Sequence, residues 1–150
     1  MFACVAMQLY SHISYEDQLN HIKSQMRTLK RAWQIEQVHI TLAQKTAPVL
    51  YQTLKTAFDK ILSNEIFTNK LENAITSQFD SIVNNNMSFI NVKTEFNLSD
   101  FFPNVTMADF GKKLFSAMAN KTCYLELGKR LAQKVQELQM IVASSPTLQY

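Results

Sequence analysis

A chain of 150 residues, 47% apolar and only 18% charged, is too hydrophobic to stay unfolded, and one domain of that length buries about 70% of the surface its extended form exposes. Two glycines and three prolines supply no glycine cluster for a phosphate-cradling or dinucleotide-binding turn, and they favour helices joined by tight connections. The net charge of +3 is too mild to specify nucleic acid or acidic lipid as a partner, so the placement of charge matters more than its sum.

At the N-terminus Phe2, Val5, Ala6, Leu9 and Ile13 recur at helical spacing, which predicts a short helix over 1–13 that docks on the domain. Left undocked, Phe2, Val5 and Leu9 would form an apolar patch of the kind that receives a partner. The segment has no basic leader, and no run in the chain approaches the ~20 apolar residues of a bilayer span, so neither an export signal nor a membrane span is expected. Cys4 and Cys123 belong to no CxxC pattern, which predicts reduced thiols in an intracellular protein. The N-x-[ST] triplets at Asn86, Asn97, Asn104 and Asn120 are read as helix starts and turns, not as glycan sites.

Ser14 and Asp17 have the form of a capping box and open a long helix reaching Ala47. Tyr15, Leu19, Ile22, Met26, Leu29 and Trp33 follow at steps of four and three and lie on one stripe. Lys23, Arg27, Lys30 and Arg31 make a basic stripe back to back with it; together with Trp33 they are the candidate binding residues of this helix. Glu36 falls where the next apolar residue is due. The stripe then resumes at Ile40, Ala43 and Ala47, with Ile35, Val38 and Leu42 as a neighbouring row, so burial is expected to widen around Trp33. The alternation of Val38, Ile40 and Leu42 leaves a short strand as the alternative there.

Pro48 suits the first turn of a second helix with Thr46 as its cap, and Leu50 to Leu62 supply its apolar face. Phe67, Leu71, Ile75, Phe79, Ile82 and Val83 mark a third helix, stopped by Asn84, Asn85 and Asn86; the two should form an antiparallel hairpin. From about 85 to 106 the helical period is lost, which predicts an irregular crossover. Thr106 with Asp109 looks like another capping box, opening a helix that Asn120 to Thr122 would turn into a last one carrying Tyr124, Leu127, Leu131, Val135, Leu138 and Val142. Residues 144–150 are expected to fray.

Few constellations carry chemistry. Glu36 and His39 form one Glu-x-x-His, but the second copy that a di-iron bundle uses is missing, and no carboxylate pair stands out. No metal, cofactor or catalytic residue is therefore expected. Lys112, Lys113 and Lys121 make a second basic group, and the string Phe110-Gly111-Lys112-Lys113-Leu114 resembles the recognition helix of winged-helix domains of primase type. That resemblance covers this one helix. It implies nucleic-acid contact followed by a β-hairpin wing, whereas Tyr124 onward keeps a helical period.

The sequence thus predicts a single all-α domain, a bundle of five to six helices with one long irregular connection. The function it favours is that of a non-catalytic subunit or adaptor, binding a protein partner or a second copy of itself through amphipathic helix faces. One alternative is a carrier of an apolar molecule in a cavity near Phe58, Phe79, Phe110 and Phe115. The other is nucleic-acid binding through the basic faces.

Overall fold

The computed structural model describes residues 2–84, 94, 96–101 and 109–144, with the side chains of residues 2–13 outside that description. Five helices are present among the described residues: α1 (Phe2–Thr46), α2 (Pro48–Ile61), α3 (Glu65–Asn84), the single-turn α4 (Leu98–Phe101) and α5 (Asp109–Ala143). They form an all-α bundle. Most of the expected crossover, the Thr106 cap, Asn85, Asn86 and the tail from 145 to 150 lie outside the described residues.

The two long helices are the frame, and each replaces two predicted ones. Nothing between Phe2 and Thr46 is a glycine or proline, so helix propagates through Ser14 and Asp17, both exposed, and the expected boundary between 1–13 and the long helix is absent. In α5 the predicted turn at Asn120 to Thr122 is likewise continuous helix. Thr122 donates its hydroxyl to the Met118 carbonyl one turn back, at 3.1 Å, and Asn120 is turned inward, its amide oxygen accepting the Thr94 backbone N–H at 2.7 Å. Side chains that compete with helix elsewhere are here used without breaking it. No wing follows the Phe110 to Leu114 string, because the helix runs on to Ala143.

Leu29 lies against Gly128, and Ala43 shares a groove with Leu114, so α1 and α5 run antiparallel. Their inner faces bury Leu19, Ile22, Leu29 and Ile40 from one side and Leu127, Leu131 and Leu138 from the other. At Ala47, with φ −142° and ψ 69°, the chain leaves α1 and restarts as α2; no side chain caps the restart, and the Thr46 hydroxyl bonds back to Leu42 in place of the expected capping role. The turn into α3 is capped by Asn64, whose side-chain oxygen accepts the amides of Ile66 at 2.9 Å and Phe67 at 3.3 Å.

Beyond that turn α2 and α3 pack on the long helices more than on each other, so the expected hairpin is splayed. Arg130 of α5 ties α3 down through Glu72 and through Thr76 at 3.2 Å. Between the two short helices and α5 sits a cluster of rings. Phe67, fully buried, meets Phe58, Phe96, Phe101 and Phe115, mostly edge to face, with centroids 4.4 to 6.3 Å apart. Through Phe101 and Phe96 this cluster holds α4 and the residue two positions before it against the bundle.

Candidate interaction surface

The four predicted cations Lys23, Arg27, Lys30 and Arg31 are exposed on α1, and among the described residues none lies within ion-pair distance of a carboxylate. Trp33 is half-buried, with its indole nitrogen buried and without a hydrogen-bond partner among the described residues. Phe2, Val5 and Leu9 sit on the first turns of α1, and their side chains lie outside the described residues.

The structure brings part of this set together. Arg27, Lys30 and Trp33, with Met26 and Leu29, form one wall of an open trough of about 510 Å³. The other wall comes from α5: Tyr124, Leu125, Gly128, Lys129 and Ala132. Leu125 is 46% exposed and joins Trp33 in presenting apolar surface to solvent. Lys23 and Arg31 do not line the trough.

The row Ile35, Val38 and Leu42 corrects the sequence reading. In place of widening the core, these side chains are 57%, 64% and 58% exposed. The reason is angular: at 100° per residue they centre on the side of α1 opposite Ile22, Leu29 and Ile40, in line with Arg31 and Lys45. Burial follows the single stripe through Glu36, which is turned inward on that stripe and pairs with His39 at 3.6 Å. Leu42 also borders a second groove of about 380 Å³, shared with His39, Phe110 and Lys113.

Glu36 lies close enough to the buried Tyr124 to act on it electrostatically. The Tyr124 phenol is pushed up to about 12, first by burial and then by the negative charge that Glu36 carries and Cys123 can acquire. Burial also pushes the Cys123 thiol up, while the Thr94 hydroxyl pulls it partly back. An acid that holds its proton more tightly when folded gives stability that is full below its ordinary pKa, here 10 for Tyr124, and lost as pH rises through about 12. Tyr124→Phe is therefore expected to lessen the fall in urea midpoint between neutral and strongly alkaline pH, read by circular dichroism.

No three His, Cys, Asp or Glu side chains among the described residues converge in a way that could hold a metal ion. No described helix is long and apolar enough to cross a membrane. Of the phenylalanines named for the carrier alternative, Phe58 and Phe115 touch at 5.5 Å within the core, Phe79 is half-buried on α3, and Phe110 is 41% exposed at the second groove. Compared with models of known protein families, with curated proteins and with solved structures, the chain matches none.

Proposed function

We propose that this chain is a non-catalytic helical interaction protein, a subunit or adaptor that binds another protein or a second copy of itself through α1. The observation that carries the reading is the outward row of Ile35, Val38 and Leu42, three large apolar side chains left more than half exposed on a helix whose opposite face is already buried. Scattered apolar residues on a surface need no explanation, but three at steps of three and four make the seam on which a second helix packs. Arg31 and Lys45 bracket the row on the same side of the helix and would set the orientation of a partner carrying acidic groups.

The test is association measured by light scattering on the isolated chain, and by capture of a partner from its native source, each compared with Val38→Asp. Val38 is 64% exposed, so the substitution leaves the fold intact and is expected to abolish association by placing a charge in the seam. A wild-type chain that stays monomeric and retains no more protein than Val38→Asp contradicts the reading.

A further inference from the structure

We infer that the trough between α1 and α5 receives an acidic amphipathic helix from a partner protein, with apolar side chains in the trough and carboxylates on its rim. The inference rests on the reading of the chain as an interaction protein, and it adds a second surface and a partner chemistry.

Four observations lead there. Met26, Leu29, Trp33 and Leu125 make the trough apolar, while Arg27 and Lys30 on one rim and Lys129 on the other are its charged members among the described residues, none of which brings a carboxylate to it. Glu126, 3.9 Å from Lys129, offsets part of one charge and leaves the α1 rim cationic. An apolar strip bounded by cations is complementary to apolar anchors flanked by Asp or Glu.

The second observation is length. The trough follows α1 from Met26 to Trp33 and α5 from Tyr124 to Ala132, two helical turns or roughly 10–12 Å. A docking helix with anchors at i, i+4 and i+7 spans the same distance. Third, the trough is open along its side, whereas a small apolar ligand needs a site that covers most of its surface.

The fourth is Gly128. A Cβ there would come no closer than 3.6 Å to Leu29, an ordinary contact, so the packing of α1 on α5 does not demand a glycine. Glycine inside a helix is destabilising relative to alanine, and what its absent side chain provides here is an open trough floor.

Trp33 is the single tryptophan of the chain, so its fluorescence reports on the trough directly. The intact protein is panned against a displayed library of randomised amphipathic helices, and the recovered peptides are titrated while Trp33 emission is followed. The expected peptides carry large apolar residues at i, i+3 or i+4, and i+7 with Asp or Glu beside them, and their binding weakens as salt rises. They lose about tenfold or more in affinity on Lys30→Glu with Lys129→Glu, and on Gly128→Leu, but not on Val38→Asp. The two lysines are exposed, so their reversal remains a valid test even where Gly128→Leu fails to fold. Recovery of basic or neutral peptides, binding indifferent to the lysine reversal, or no peptide that moves Trp33 emission overturns the inference. An emission shift with phosphatidylglycerol vesicles and with no peptide assigns the trough to lipid and overturns it also. Association that Val38→Asp abolishes, together with a trough that binds no peptide, removes this inference and leaves the interaction reading standing.

Discussion

Phe67→Ala is expected to lower the free energy of unfolding by about 3–5 kcal/mol. Phe67 is 0% exposed and touches four other rings, each held by a different part of the chain: Phe58 on α2, Phe96 before α4, Phe101 on α4 and Phe115 on α5. Removing the central ring costs its transfer free energy and leaves a cavity that rigid neighbours close only in part. The loss is also distributed unevenly. α4 is one turn long and cannot hold itself together, so it leans on contacts from outside, of which the ring contact of Phe101 with Phe67 is one. Urea unfolding should give the loss directly, with Val49→Ala, at a site 80% exposed, as the control expected to change little. A loss below about 1 kcal/mol for Phe67→Ala would mean that the ring cluster is not the centre of this half of the core.

Asn120→Leu is expected to cost about 1–3 kcal/mol, although leucine is the better helix former and the position is buried. The reason is the Thr94 amide. It donates to the Asn120 side chain at 2.7 Å in a site closed to water, and leucine leaves it without an acceptor. That hydrogen bond joins two positions far apart in sequence, so amide exchange at Thr94 should accelerate along with the global loss. Were Asn120 part of an exposed turn, as its neighbours Lys121 and Thr122 suggest in the sequence, the same substitution would be neutral or stabilising. The sign of the change therefore discriminates between one continuous α5 and two helices.

The helical architecture was legible because apolar residues recur at steps of three and four over long stretches and almost nothing interrupts them. The core stripe of α1, from Leu19 through Ile22 and Leu29 to Ile40, could be read directly, and so could Phe67, Leu71, Ile75 and Ile82 of α3. Boundaries were less legible. Ser14 with Asp17, and Asn120 with Thr122, have the composition of helix ends, yet a cap requires the backbone to leave the helix, and nothing nearby forces that. In α5 the Asn120 side chain is taken up by the amide of Thr94, remote in sequence, and no local pattern announces it.

The candidate surface was legible in part. The exposure of Arg27 and Lys30 follows from helical phase, but the trough they edge exists only because α5 brings Leu125, Gly128 and Lys129 alongside. Gly128 is the one signal that could have been used: an isolated glycine within a helical pattern carries a cost and invites the question of what needs the space. The row of Ile35, Val38 and Leu42 was visible as a row. Its direction was not, because two apolar stripes on one helix do not say which of them the rest of the chain covers.

The claim on which the functional account depends is that this outward row of α1 meets another protein. Its most direct measurement is site-specific photo-crosslinking in the cell of origin, with a benzophenone amino acid placed at Val38 and, as control, at the exposed Lys55 on α2. The account predicts a discrete protein adduct, a second copy or a distinct partner, from Val38 and none from Lys55. No adduct at Val38, or the same diffuse adducts at both positions, would contradict it.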